Sequence, residues 1–307
     1  MRHVTSLEDL GLSQPSAITI GAFDGVHRGH QALIGQMVAA AHATGRTAVV
    51  LTFFPHPSVV LRGRRPSFYL SSPDEKSEYL SQLGVDAAVT HPFDRAVSEI
   101  RAADFVERLL TFARMDELWC GPDFALGHGR EGTVDFLQAE GQRRAFRLRV
   151  LPPVLIDGEV ISSTRIRQTL RDGAVDQAAR YLGRPFRLAG QVIEGAKRGR
   201  LIGIPTANLA ISEERAMPAV GVYACLASQP GWQRQAVVNI GFRPTFEGGQ
   251  ARPVVEAHML DFSGDLYGTT VSLDFVARLR PEVKFPGVEA LVAQIQRDIV
   301  EARRILA

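Results

Sequence analysis

Cysteine is nearly absent from this chain: Cys120 and Cys225 are the only two in 307 residues, far apart and in no metal-type pair. A chain so poor in thiols fits a reducing cytoplasm and offers no cysteine-based metal centre. Long apolar runs are missing too. None approaches the roughly 20 residues that a membrane span needs, and the opening residues Met1 to Asp9 lack the apolar core of a signal peptide. Charge of one sign is also lacking, because 35 basic and 33 acidic residues leave a net charge of +2. That balance gives no reason to expect nucleic-acid or membrane binding. No Walker A pattern, internal repeat or low-complexity segment occurs, and nothing in the sequence fixes an oligomeric state.

What is present is a globular composition, 45% hydrophobic and 22% charged, in a chain long enough to predict two domains. Strand and helix patterns alternate through the first half. Ala17 to Ile20, Arg46 to Phe53, Asp86 to Thr90, Glu117 to Cys120 and Phe146 to Leu151 read as strands. Gln31 to Val38, Pro73 to Leu83 with Ser72 as N-cap, Ala102 to Ala113 and Thr133 to Gln142 read as helices. This order predicts a mostly parallel sheet with helices on both faces. The texture changes after Arg171. Asp172 to Leu182 reads as a short linking helix. Short β-type runs follow at Leu188–Ile193, Gly221–Leu226, Ala236–Ile240, Val254–Leu260 and Thr270–Phe275, before an amphipathic helix over Gly287–Leu306. Short strands at that spacing predict a small closed β-structure.

Gly21-Ala22-Phe23-Asp24-Gly25-Val26-His27-Arg28-Gly29-His30 stands where the first of these strands hands over to a helix. A helix N-terminus offers unpaired N–H groups and partial positive charge, and glycines admit a bulky anion to the backbone. His27 and His30 form an HxGH element whose imidazoles suit nucleotidyl transfer, stabilising charge as pyrophosphate departs. The plainer reading is a pair of surface or capping histidines. Ile161 to Arg167 combines hydroxyls and arginines at a helix start, where hydroxyls cap and an arginine clamps phosphate, although an ordinary capped helix also has Ser and Thr there. Gly127-His128-Gly129-Arg130-Glu131-Gly132 spells GxGxxG. It follows the fourth strand rather than the first, and Pro152-Pro153 stand near the place of the expected acid, so a ligand-side glycine loop accounts for it better than a dinucleotide fingerprint.

With Thr52–Pro57, Leu83–Asp86, Gly121–Phe124 and Ser162–Arg167 following in order, the first half resembles the bacterial bifunctional riboflavin kinase/FAD synthetase family. The resemblance implies a Rossmann-like parallel α/β nucleotidyltransferase domain that joins FMN to the AMP part of ATP. It implies ATP handling by Gly21, Phe23, Asp24, His27, His30, Asp123, Ser163, Thr164 and Arg167. It implies a flavin-side wall of Phe53, Pro55, His56 and Pro57. Phe54 stands where the family usually has an acid, and His128 and Thr133 where a basic and an acidic residue are common.

Gly203-Ile204-Pro205-Thr206-Ala207-Asn208 follows a glycine- and base-rich stretch, Gly195 to Arg200. Such a loop presents N–H groups and cations to phosphate. The Thr206 hydroxyl and Asn208 amide are hard oxygen donors suited to Mg²⁺. Glu256 falls within a β-run, where an acid inside a small barrel is costly unless paired or used, and its use would be as general base on a substrate hydroxyl. Taken singly, a PTAN turn is only a turn and a strand Glu faces solvent. In order, with Asn239–Phe246, Val220–Tyr223, Asp261–Gly268 and Leu279–Phe285, they resemble the riboflavin kinase module of the same family, with Ile204 in place of the usual Phe. The resemblance implies a C-terminal β-barrel domain with a terminal helix. Gly203, Pro205, Thr206 and Asn208 would hold Mg-ATP there, and Glu256 would activate the flavin 5′-hydroxyl. The expected organisation is an adenylyltransferase over 1–171, a linker helix over 172–182 and a riboflavin kinase over 183–307. The expected partners are riboflavin, FMN, FAD and ATP.

Overall fold

The computed structural model describes residues 1–63, 67–195, 199, 202–243 and 252–307, the side chains of 242, 243, 252 and 253 aside. The chain divides into two compact units, Met1–Arg65 with Ser71–Ser163, and Pro66–Leu70 with Thr164–Ala307.

In chain order the first unit runs β1 (Arg2–Val4), β2 (Ser16–Ile20), α1 (Arg28–Ala43), β3 (Thr47–Phe54), α2 (Pro57–Arg62), α3 (Pro73–Gln82), β4 (Ala87–Pro92), α4 (Arg95–Ser98), α5 (Ala102–Phe112) and β5 (Met115–Cys120). It continues with β6 (Ala125–Leu126), β7 (Gly132–Thr133), α6 (Val134–Arg144), β8 (Arg147–Val150) and a hairpin of β9 (Leu155–Ile156) and β10 (Glu159–Val160). The main sheet has the order β1-β4-β3-β2-β5-β8 with every neighbouring pair parallel.

Its strands read as continuous apolar runs because both faces are covered. Ile18, Ile20, Val49 and Leu51 pack with Phe105, Val106 and Leu109 of α5. Ala17, Ala48 and Val50 pack on the opposite face with Ile34, Met37 and Val38 of α1 and Tyr79 and Leu80 of α3. The predicted helices on both faces are thus observed. Ser72 caps α3 in a reciprocal box, its hydroxyl accepting from Glu75 N while the Glu75 carboxylate accepts from Ser72 N.

Chain order runs outward from β2 through β3 on one side and resumes with β5 on the other. The strand order therefore reverses between β2 and β5, which makes the carboxyl ends of those strands the natural crevice for a ligand.

The second unit runs α7 (Ser163–Arg171, of which Ser163 itself belongs to the first unit), α8 (Val175–Leu182), β11 (Phe186–Ile193), β12 (Ala207–Ala210), β13 (Gly221–Gln229), β14 (Trp232–Arg243), β15 (Arg252–Met259), β16 (Thr270–Arg280) and α9 (Val288–Leu306). The strands close into an antiparallel barrel in the order β11-β12-β15-β14-β13-β16. Ala302 of α9 lies against Val222, Ala224, Val237 and Leu260, and Arg280 holds the buried Asp298 carboxylate with both Nε and a terminal nitrogen. The closed β-structure and terminal helix match the expectation. The PTAN segment does not end in a turn. Ala207 enters a four-residue strand that pairs with β11 and β15. Among the described residues, no helix is long and apolar enough to cross a membrane.

Candidate functional site

The turn after β2 builds the first site. Phe23 and Val26 take left-handed backbone (φ 45° and 39°), and Gly25 has φ 78°, so the chain coils tightly before α1 begins. His27 is the N-cap of α1, its Nδ1 accepting from His30 N at 3.4 Å. The capping reading of the histidines is therefore met at His27. Gly21, Phe23, Asp24, His27, His30, Asp123 and Ser163 together line one cavity of about 490 Å³.

Inside that cavity the two imidazoles stack at 3.6 Å between centroids, 21° apart in plane, and the Phe23 ring meets His30 edge-on at 5.1 Å. Burial, aided by the neighbouring His27 and Lys76 charges, pushes the His30 imidazole well below its ordinary range. It is neutral near pH 7. Its Nδ1 is buried with no hydrogen-bond partner among the described residues, a lone polar atom in a pocket.

The loop is tied down from beneath. Asp24 is buried, its Oδ1 accepting from Ser71 N at 3.2 Å, and Gly25 N donates to Ser71 Oγ at 3.1 Å. Ser163 Oγ donates to the Asp24 carbonyl at 2.9 Å, so this hydroxyl braces the loop. Thr164 and Arg167 belong to the second unit, where Arg167 Nε donates to the Phe68 carbonyl at 2.5 Å and its guanidinium lies 4.1 Å over the Phe68 ring.

A larger cavity of about 900 Å³ adjoins the first. Phe53, Pro57, Phe93, Phe105 and Phe124 give it an apolar wall, and His56, Arg62, Arg95 and Arg130 also line it. Pro55 is not among the lining residues, and Phe54 is exposed. His56 caps α2, its Nδ1 accepting from Ser58 N at 3.0 Å, so the segment read as a flavin wall is also a helix start. Gly127, His128, Gly129 and Arg130 of the GxGxxG stretch line this second cavity. Gly127 has φ 76°, and a Cβ there would fall 2.6 Å from the Ala102 backbone. The Glu131 carboxylate accepts from Ala102 N and Arg101 Nε, both at 2.7 Å, fastening the loop to the start of α5. Ile20, Gly21, Ala22, Asp123 and Phe124 line both cavities, so the two share one wall at the carboxyl ends of β2 and β5.

In the barrel, Asn208, Glu256 and Asn239 stand abreast on β12, β15 and β14. Residues directly opposite in a sheet share a face. Val255, Ala257 and Met259 are buried while Glu256 and His258 between them are half-buried. Strand alternation puts Glu256 on the face opposite Val255 and Ala257, together with its cross-strand neighbour Asn208, which is itself buried. His258 Nδ1 lies 2.8 Å from the Pro205 carbonyl, tying the turn that carries Thr206 to β15. A Cβ on Gly195 would fall 2.1 Å from Asn208 Nδ2 and 2.8 Å from its Oδ1, so only glycine lets the Asn208 amide lie there. Thr206 is exposed, and Gly203 takes φ 74°. Sequence reasoning missed Lys76, Ser71, His258 and Asn239's place beside the acid. The predicted basic residues Lys197, Arg198, Arg200, Arg64 and Arg65, with Ala196 and the stretch Pro244 to Phe246, lie outside the described residues.

A phosphate-ready helix start at a sheet switch point, joined to a cavity with aromatic walls, defines a nucleotidyltransferase-like α/β unit, here carried with an antiparallel barrel. Residues 11–165 match the FAD synthetase family and residues 182–306 the riboflavin kinase family. The chain is 36% identical over 291 residues to the bifunctional riboflavin kinase/FMN adenylyltransferase of Listeria monocytogenes, covering 94% of this chain and 92% of that one. It is 37% identical over 290 residues to the protein of that name from Pseudomonas fluorescens, at the same coverage. A crystal structure titled as a macrolide-efflux protein from Streptococcus pneumoniae superposes with a TM-score of 0.88 at 31% identity, covering 98% of both chains. The chain belongs to the bifunctional riboflavin kinase/FMN adenylyltransferase family and is a transferase of flavin cofactor biosynthesis that uses ATP.

Proposed function

We propose that adenylyl transfer occupies the first unit and riboflavin phosphorylation the barrel, with functional limits of 1–171 and 183–307 around a linker helix over 172–182. The single observation that carries the first half is the wall shared by the two cavities. ATP takes the smaller cavity, its triphosphate at the N-terminus of α1. FMN takes the larger, its ring system among the phenylalanines. Their phosphates then meet at Gly21, Ala22 and Asp123. An FMN phosphate oxygen forms a bond to the α-phosphorus of ATP while the bond to the β-phosphate oxygen breaks, releasing pyrophosphate and leaving FAD. Neutral His30 and its partner His27 take up hydrogen bonds to the phosphate oxygens as charge shifts to the leaving group, with no covalent intermediate. Gly21, Phe23, Asp24 and Ser163 shape the nucleotide side; Phe53, His56 and Pro57, with Pro55 in the same segment, shape the flavin side. Thr164 and Arg167 are proposed ATP residues on the family resemblance alone.

In the kinase half, Glu256 takes the proton of the riboflavin 5′-hydroxyl as the hydroxyl oxygen bonds to the γ-phosphorus of ATP and the bond from that phosphorus to the β–γ bridging oxygen breaks, leaving FMN and ADP. Asn208 and Thr206, with the turn of Gly203 and Pro205, hold Mg-ATP. The Asn208 amide, set by Gly195 beside the Glu256 strand, and the Thr206 hydroxyl are hard oxygen donors that fit this ion. When bound, Mg²⁺ neutralises phosphate charge and orients the transferred group. Two buried free cysteines support a cytoplasmic setting.

Chromatography of products from riboflavin, ATP and Mg²⁺ reads both halves at once. His27→Ala with His30→Ala is expected to leave FMN accumulating while FAD falls by at least about 100-fold. Glu256→Gln is expected to slow FMN formation by about 100-fold or more while supplied FMN is still converted to FAD. Undiminished FAD in the first variant, or undiminished FMN in the second, removes those residues from the mechanism.

A further inference from the structure

Lys76 lies on α3, outside every motif that marks either site. Its side chain is buried, and its Nζ donates to the Ala22 carbonyl at 2.8 Å and to Thr52 Oγ1 at 3.1 Å. Thr52 Oγ1 donates in turn to the same Ala22 carbonyl at 3.0 Å. One carbonyl of the turn after β2 thus receives two donors, one of them cationic.

The Ala22–Phe23 peptide is trans, so its C=O and N–H point in opposite directions. Drawing the carbonyl toward Lys76 and Thr52 turns Phe23 N–H the other way. That N–H has no acceptor among the described residues, and both Ala22 and Phe23 line the nucleotide cavity. A lysine kept from water in this manner needs a reason, because burial penalises its charge.

We propose that Lys76 is a positioning residue for adenylyl transfer: it fixes the Ala22–Phe23 peptide with the Phe23 N–H presented to the nucleotide phosphates, and it supplies positive charge behind them. The inference rests on adenylyl transfer occurring at this cavity. The groups facing the ammonium are Asp24 from the turn after β2 and His30 from α1; Glu75 of its own helix is engaged in the Ser72 capping box. Burial lowers the Lys76 ammonium to about 8, while Asp24 opposes the shift. His30 titrates far lower, so an alkaline inflection near 8 is traceable to Lys76.

The test measures FAD formation by the full chain from pH 6.5 to 9.5, with riboflavin phosphorylation by the same molecules as reference. Lys76→Met is expected to lower kcat for adenylyl transfer by about 10- to 100-fold, with KM for FMN within about threefold and the kinase rate unchanged. Wild-type kcat/KM for FAD formation should fall as pH rises through about 8, and Lys76→Met should lack that inflection. Thr52→Val, which removes the second donor to the same carbonyl, should lower kcat by about fivefold and retain the inflection. The proposal is overturned by wild-type kcat in Lys76→Met, by an inflection that survives in it, or by a loss of rate accompanied by loss of FMN binding. Should the His27→Ala, His30→Ala variant still make FAD, the cavity assignment fails instead, whatever Lys76 does.

Discussion

Gly127→Ala tests how the glycine loop shapes the larger cavity, the one proposed to take the flavin. The position has φ 76°, and a new Cβ would fall 2.6 Å from both Cα and N of Ala102 and 2.8 Å from its Cβ. Left-handed backbone costs a side-chain-bearing residue about 1–2 kcal/mol. Overpacking against atoms that cannot swing aside adds about 1–3 kcal/mol, because the contacts at 2.6 Å are backbone at the start of a helix. The sum is about 2–5 kcal/mol, a drop on the order of 10 °C in the melting of a unit this size. The loop relieves the clash by lifting off α5, pulling at the Glu131 clasp and widening the cavity at the flavin end. Calorimetry should therefore show the first unit melting earlier. KM for FMN in adenylyl transfer should rise several-fold while riboflavin phosphorylation is untouched. Adding Ala102→Gly should give no rescue, since the backbone contacts remain and glycine weakens the helix by about 1 kcal/mol. A Gly127→Ala protein that melts within a degree or two of wild type and keeps its KM for FMN would refute the reasoning.

Two further outcomes are expected. His258→Ala frees the Pro205 carbonyl and should raise KM for ATP in the kinase reaction by about fivefold with little change in kcat, read by coupled assay; an unchanged KM would detach His258 from the turn. Burial raises the Cys120 thiol to about 11 and Cys225 well above its ordinary value, so the sign is toward the unreactive thiol below pH 9. Iodoacetamide at pH 8 should label neither in the native protein and both after unfolding in guanidinium, as counted by mass spectrometry; native labelling of either contradicts its burial.

The architecture was legible where physical signals are strong. Parallel strands buried on both faces leave unbroken runs such as Ala17 to Ile20, and the Ser72-Pro73 start announces its helix before the chain is folded. β1 escaped notice because three residues beginning with Arg2 and His3 carry no apolar pattern. β12 escaped because Asn208 interrupts a four-residue strand whose neighbours are a proline turn. The histidine pair was found by its spacing against a strand and a helix. Lys76 was not, because a lysine on a capped helix looks like surface until the fold brings Ala22 and Thr52 to it from elsewhere in the chain. At Glu256 the alternation with Val255, Ala257 and Met259 is visible in the sequence, and that period of two agrees with the reading of a strand acid turned away from the buried set.

The row of Asn208, Glu256 and Asn239 across neighbouring strands ties chemistry to alignment. Sliding β15 by a single residue would turn every side chain over, hiding the carboxylate in oil and turning Val255, Ala257 and Met259 out of it. Insertions or deletions that shift this strand's pairing are therefore opposed by folding and by the proposed kinase chemistry together.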